Sequence, residues 1–268
     1  MKLLTMDPTA FYLGNWPVKK YGIIMAIAIS VAFYLSVREG KKRGINDDHF
    51  ANILLWGVPL GYLGARLYYV IFEWPYYANN PGQIFAIWQG GVAVYGGLLT
   101  GLLVLIVYCY YHALNLFKML DIITPGVMLA QVIGRWGNFV NQEAHGARTT
   151  LTFLQSLHLP EFIIQGMKIG GHYYQPTFLY ESFFNLLGFL IIIAVRHRKH
   201  FYRIGEVFFS YLAWYSLVRF FVEGMRTDSL YIFNTIRVSQ ALSVVLFVIS
   251  VSLVIYRRKR RSISWYAD

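Results

Sequence analysis

The chain has 268 residues, 57% hydrophobic and only 14% charged, with a formal net charge of +11. Soluble domains carry about 25% charged residues, and here the apolar residues come in blocks that match the roughly 20-residue length of a bilayer-crossing helix. That excludes an ordinary soluble enzyme, and the single cysteine, Cys109, excludes a disulfide within the chain.

Residues 1–20, MKLLTMDPTAFYLGNWPVKK, lack the continuous apolar run of a secretory signal and read as an external tail and surface segment. Seven helical spans follow, over residues 21–37, 51–72, 90–111, 119–139, 174–195, 205–222 and 235–256. The shorter ones imply tilt or local thinning of the bilayer. The connections after spans one, three, five and seven carry Arg38, Lys41, Lys42, Arg43, Lys118, Arg196, Arg198, Lys199, Arg203 and the basic run 257–261, together 14 of the 24 basic residues. The opposite side carries seven: Lys2, Lys19, Lys20, Arg148, Lys168, Arg226 and Arg237. Cytoplasmic connections hold the excess of Lys and Arg, so the N-terminus is expected outside and the C-terminus in the cytoplasm. Because the basic runs sit at span ends, nucleic-acid binding is a poor explanation of the net charge. The terminal YRRKRR is placed to touch anionic lipid heads. Cys109, deep in an apolar run, reads as a small buried hydrophobe.

Residues 140–173 are too long for a plain connector. They mix LTFLQSLHLPEFIIQG with glycines and polar residues, and read as an amphipathic stretch on the outer membrane surface. No internal repeat or second domain is visible. The expected fold is therefore all-α: a polytopic integral membrane protein with seven transmembrane helices in one domain over residues 1–268, with residues 140–173 as an extracytoplasmic head loop.

Arginine near a bilayer centre costs about 2.5–3.5 kcal/mol on insertion scales, yet Arg66, Arg135 and Arg219 fall inside the spans. Each belongs to a polar stripe at helical spacing: Tyr62, Arg66, Tyr69 and Glu73; Gln131, Arg135, Asn138 and Gln142; Tyr215, Arg219, Glu223 and Arg226. Span five puts Glu181 and Asn185 on one face, span three places Tyr95 among glycines, and Tyr21 opens span one. The simplest arrangement is a water-accessible cavity between helices, open toward the outer leaflet. Structural explanations compete at each residue. Arg219 with Glu223 at i,i+4 can be a plain ion pair, Arg66 is read as snorkelling to the interface, Glu181 can simply neutralise an arginine, and the glycines can serve close helix packing. Arg135 stands apart, with no acidic neighbour at i±3 or i±4 and glycines on both sides. It is read as an unpaired guanidinium suited to bidentate binding of a lipid phosphate.

The stretch containing Arg135, GRWGNFVNQEAHG at residues 134–146, resembles the signature of the prolipoprotein diacylglyceryl transferases, G-R-x-G-N-F-x-N-x-E-x-x-G. Segments similar to the family's others occur in order: KYGI at 20–23 with its neighbouring lysine, GARLYYVIFEWPYY at 64–77, IWQGGVAVYGGLLTG at 87–101, QPTFLYES at 175–182, RFFVEGMRTDSL at 219–230 and IRVSQ at 236–240. The resemblance covers nearly the whole chain. It implies a multi-pass enzyme of the bacterial plasma membrane, its active site facing the outer leaflet. Such an enzyme transfers the diacylglyceryl group of phosphatidylglycerol to the lipobox cysteine thiol of a prolipoprotein signal peptide, without metal or other cofactor. Carried over residue by residue, it implies catalytic roles for Arg135, Tyr21, Asn138, Glu143 and Arg219, and Tyr95 is counted with them as closing the pocket beside Tyr21. It implies substrate binding by Arg135, Asn138, Asn141, Gly146, Glu223 and Arg226. Some members carry a histidine, proposed as the base, where this chain has Tyr95. A phenol with a reference pKa near ~10 is a poor base at neutral pH, which leaves Glu143, His145 or activation of the thiol by nearby positive charge.

Three rival readings are weaker. A phospholipid or anion transporter would place its arginines near the midplane and commonly show an inverted repeat. A prenyl-diphosphate transferase would need a second spaced aspartate beside Asn46–Asp48, which read instead as a helix start. An intramembrane serine protease lacks a G-x-S-x-G or a paired Ser/His arrangement.

Overall fold

In lipid a backbone must satisfy its own hydrogen bonds, so uncharged aliphatic blocks become helices. The computed structural model describes residues 8–229, 231–232 and 235–267. Lys2 of the expected tail and Leu230 of the sixth-span motif lie outside these. The second half of the tail is a hairpin, β1 (Thr9–Leu13) with β2 (Trp16–Lys19). Then come α1 (Lys20–Lys42), α2 (Asp47–Phe72), the short α3 (Trp74–Asn79), two 3-10 turns at Pro81–Phe85 and Ile87–Gln89, α4 (Val94–Tyr111) and α5 (Leu116–Asn141). The head holds β3 (Arg148–Thr149), α6 (Leu151–Ser156), α7 (Glu161–Gly166), β4 (Lys168–Ile169) and β5 (His172–Tyr174). The chain continues through α8 (Thr177–Val195), α9 (Glu206–Met225), β6 (Tyr231–Ile232), β7 (Ile236–Arg237) and α10 (Val238–Lys259).

A long helix occupies each of the seven expected spans. Six of them, α1, α2, α4, α5, α8 and α10, are long and apolar enough to cross a bilayer. The exception is α9, which carries Glu206, Arg219 and Glu223 among tyrosines and serines. Span three begins at Val94 rather than residue 90, because Gly90 and Gly91 take φ of 86° and 69°, outside any helix. Span two begins earlier, at Asp47. Asn46 caps it, its side chain accepting from the Asp48 amide at 3.2 Å. The acidic pair is thus the helix start expected there.

By its contacts the chain divides into two units, residues 1–35 with 120–268, and residues 36–119. In the second unit, α2 and α4 meet along a seam of small residues. A Cβ on Gly64 would lie 1.9 Å from Thr100 Oγ1, and one on Gly96 would lie 2.5 Å from the Gly64 carbonyl. Seams of this kind let helix backbones approach closely in lipid. Arg66 does not snorkel. It is 6% exposed and donates to the carbonyls of Gln83 (2.6 Å), Ile84 (3.0 Å), Gly90 (2.7 Å) and Gly91 (2.8 Å), with Tyr77 5.2 Å beneath its guanidinium. Its chain neighbours hide this role, since every acceptor lies 17 or more positions downstream.

In the first unit a core of Met128, Ile192, Tyr202, Val207, Tyr211 and Tyr266 joins α5, α8 and α9 to the C-terminal tail. Asp121, fully buried on α5, accepts from the amides of Gly205 and Phe208 and so caps α9, whose own N-cap is a glycine. Arg258 pairs with buried Glu206 at 2.8 Å, Arg257 donates to the Ile204 carbonyl, and Arg203 lies 4.2 Å over Trp265. Part of the basic terminus is therefore engaged by the protein itself. The head also differs from the expected surface stretch. It forms a three-stranded sheet of order β3-β5-β4 with two short helices, and buries Leu154, Ile163, Ile164 and Met167 against Phe139 and Phe178. Pro160 and the paired glycines Gly170 and Gly171 break the segment before one amphipathic helix can form.

Replacing Arg66 by Met should leave four carbonyls without their charged donor. The expected loss is on the order of 3 kcal/mol, seen as a thermal midpoint in detergent lower by roughly 5–10 °C. An unchanged midpoint would mean that residues 83–91 hold their path without it.

Candidate active site

The last two turns of α5 carry the signature, and the glycines there have distinct uses. A Cβ on Gly137 would stand 2.6 Å from the Tyr21 ring, so glycine at this position is what lets Tyr21 lie across α5. At Gly134 the nearest atom would be Met25 Sδ, 3.7 Å away, an ordinary contact. The helix ends after Asn141, with Gln142 and Ala144 both in the left-handed region at φ 54° and 57°. Non-glycine residues take that conformation only where surroundings hold it. Here Gln142 donates to the Gly166 carbonyl at 3.0 Å, and Thr177 donates to the Ala144 carbonyl at 2.7 Å. Gly146 then bonds to the Gln175 carbonyl at 3.0 Å and bridges to Arg226. A side chain there would meet Gln175 Cβ at 2.9 Å.

Arg135 is not unpaired. Its Nη2 lies 2.5 Å from Glu181 Oε1, and it hydrogen-bonds the Tyr215 hydroxyl. Glu181, almost wholly buried on α8, turns its other oxygen to Arg219 Nη1 at 3.3 Å, and Arg219 Nη2 reaches Glu223 Oε2 at 2.5 Å. One chain of charges thus runs Arg135, Glu181, Arg219, Glu223 across three helices, two cations against two anions. The i,i+4 pair of Arg219 and Glu223 and the neutralising role of Glu181 are both present, joined in one network. The i±4 window around Arg135 misses its partner, since Glu181 comes from another helix 46 positions on. Beneath Arg135, Gln131 donates to Tyr211 at 2.8 Å.

Toward the helix end, Arg135 reaches Asn138 Oδ1 at 3.4 Å. Asn138 and Asn141 both donate to Glu143 Oε1, at 3.0 and 3.4 Å. Arg135 and Glu143 are within electrostatic range of the Tyr21 hydroxyl. Asn138, Glu143 and His145 line a pocket of about 10 Å³, room for one water. Around that pocket the polar groups interlock. Arg226 makes two bonds to Asp228, 2.9 and 2.7 Å, which hold that carboxyl below the usual carboxylate range. Arg237, assigned no site role from sequence, donates to the Glu223 carbonyl at 2.7 Å and steadies the end of α9.

The structure therefore brings Tyr21, Arg135, Asn138, Asn141, Glu143, Arg219 and Glu223 into one region, with Gly146 and Arg226 bridged beside it. Tyr95 belongs to the other unit, at the start of α4, and is 37% exposed. Glu181 and Tyr215 are the residues whose importance the sequence understated. They sit on the polar faces of spans five and six, which was the available signal.

Residues 8–256 match the family described as prolipoprotein diacylglyceryl transferase. A protein of Lactobacillus acidophilus named phosphatidylglycerol–prolipoprotein diacylglyceryl transferase is 67% identical over 266 residues, covering 99% of this chain and 95% of its own. Proteins of the same name from Lactobacillus johnsonii and Lactiplantibacillus plantarum are 62% and 52% identical, over 98% and 97% of this chain and 95% and 93% of theirs. With a match across nearly its whole length, the chain belongs to the prolipoprotein diacylglyceryl transferase family.

Proposed function

We propose that this protein transfers the diacylglyceryl group of phosphatidylglycerol to the lipobox cysteine thiol of a prolipoprotein. The carrying observation is the Arg135–Glu181–Arg219–Glu223 network beside the family signature, in a chain rich in membrane-length helices. The names of its relatives favour this reading and give the transporter alternative no support. On this reading seven helices cross a bacterial plasma membrane with the N-terminus outside, and the signature end of α5 lies at outer-leaflet headgroup depth.

In the reaction a sulfur–carbon bond forms as the bond from glyceryl carbon to phosphate oxygen breaks. The thiol gives up its proton, and glycerol phosphate leaves with the bonding electrons. Charge grows on phosphate, so fixed cations aimed at it lower the barrier. Arg135 is the group assigned to that phosphate, with Arg219 adding charge. At rest the four charges balance, and an arriving phosphate competes with Glu181 for Arg135 and Arg219, while Glu223 holds Arg219 in place. Asn138 and Asn141 orient the headgroup, with Glu143 fixed between them, and Gly146 and Arg226 bind substrate beside it. Tyr21 covers the pocket. Tyr95, which stands where many family members have a histidine, is assigned to closing the pocket with Tyr21. The free thiol, near ~8.5, is lowered by neighbouring cations. Glu143 and His145 line the pocket and can accept its proton.

The test uses purified full-length protein with phosphatidylglycerol and a lipobox peptide. Arg135→Ala should lower thioether formation by at least roughly 100-fold, the scale of losing one transition-state donor. A lysine there should recover little, since it lacks the planar fork. A near-normal rate in Arg135→Ala would overturn the assignment.

Glu181→Ala should cost stability as well as rate, about 3–5 kcal/mol, because two buried guanidiniums are left with one carboxylate. Glu181→Gln should retain more stability yet change the KM for phosphatidylglycerol, as competition with phosphate disappears. Identical kinetics in wild-type and Glu181→Gln would sink the displacement step.

A further inference from the structure

The seam that joins α2 to α4 does not run the length of the two helices. Glycine contacts hold them together at Gly61, Gly64, Gly96 and Gly97. Beside the seam, the exposed faces of both helices carry large residues. Between them lies a groove of about 790 Å³, lined by Trp56, Leu60, Leu63, Leu67, Leu103 and Val107 among others. At its far end a polar clasp spans the helices. His49 Nδ1 lies 3.1 Å from the Tyr108 hydroxyl, Asn52 donates to the same hydroxyl at 3.4 Å, and the His112 ring lies 4.2 Å from that of Tyr108. Tyr108 and His112 themselves line the groove.

An apolar groove of this kind does not hold water, and its outline decides what fills it. The stretch from Trp56 to Leu67 is about 16 Å long. The groove is open along one side and walled by aliphatic and aromatic side chains, so an acyl chain can lie along it. The clasp end carries the wrong chemistry for a purely apolar ligand and the right one for an anionic headgroup. The end of α1, which leads through residues 43–46 to α2, holds exposed Arg38 and Lys42, and Lys118 reaches the Arg43 carbonyl at 3.3 Å. The acidic groups at that end are already engaged, Asp47 with Lys41 at 2.7 Å and Asp48 with Asn46.

We propose that this groove is a resident site for one anionic phospholipid, its acyl chain between α2 and α4 and its phosphate at the His49–Tyr108–His112 clasp. By the placement of basic connections, this lipid comes from the cytoplasmic leaflet. The site is separate from the signature residues and does not depend on the transfer reaction.

The experiment places the full chain in nanodiscs containing phospholipids with a photoreactive acyl chain, bearing either a phosphatidylserine or a phosphatidylcholine headgroup. Crosslinked positions are mapped by mass spectrometry. Crosslinks are expected within residues 56–67 and 103–112, about fivefold more with phosphatidylserine, the discrimination one nearby basic side chain supplies. Leu63→Trp, which fills the groove, should reduce them about tenfold, a scale set by the apolar contact it displaces. Lys42→Gln, at an exposed position, should erase the headgroup preference while acyl crosslinking persists. Both variants should keep wild-type thioether formation. Crosslinks absent from these segments, equal for both headgroups, or unchanged in Leu63→Trp would overturn the proposal. So would their displacement by an added apolar peptide helix, which would make the groove a polypeptide site.

Discussion

Two arginines inside apolar helices are tolerable only because Glu181 stands between them. Its two oxygens face Arg135 and Arg219, and Glu223 completes the balance. Taking one carboxylate out of this set leaves a buried charge without its counter-ion, which is far more costly than the pair is worth. Three helices, α5, α8 and α9, are therefore tied by charge at the level of the signature. The orientation of Arg135 is set by a residue outside its own motif.

The same logic recurs through the molecule with other partners. Arg66 meets four carbonyls instead of a carboxylate, and so fixes the path of residues 83–91. Asp121 meets two backbone amides and starts α9 where a glycine could offer no cap. Glu206 meets Arg258 and the Arg203 amide, holding the C-terminal helix and the turn before α9 together. In each case a charge that composition makes rare is placed where backbone groups or opposite charges from elsewhere in the chain neutralise it. That is what a low-dielectric surrounding demands.

Packing explains why the signature tolerates so little volume. Gly137 admits the Tyr21 ring, and Gly146 lies against Gln175 and Thr177. Between them, Gln142 and Ala144 hold a left-handed backbone that turns the chain off α5 toward the head. Asn138, Asn141 and Glu143 are thereby gathered on one side of that turn. The head contributes by burying Phe139 and Phe178 with its own apolar residues, which anchors the first turn of α8 and hence Glu181.

Much of this was legible in the sequence. The seven long helices, the helix start at Asn46 and the buried Cys109 follow from local apolar blocks and capping chemistry, which act within one helix, and the motif carrying Arg135, Asn138 and Glu143 from its resemblance to the family signature. The partners were not legible. Arg135 lacks an acid within one turn and yet is paired. Arg66 has the look of a snorkelling side chain and yet is a clamp. The head reads as an amphipathic surface stretch and yet folds into a small sheet with two short helices. The first two depend on residues 17 to 46 positions apart brought together by packing, and the third on pairing β3 with β5 across 24 to 26 positions. A motif determines which side chains one helix offers, but only the tertiary structure decides which charge from another helix will answer them.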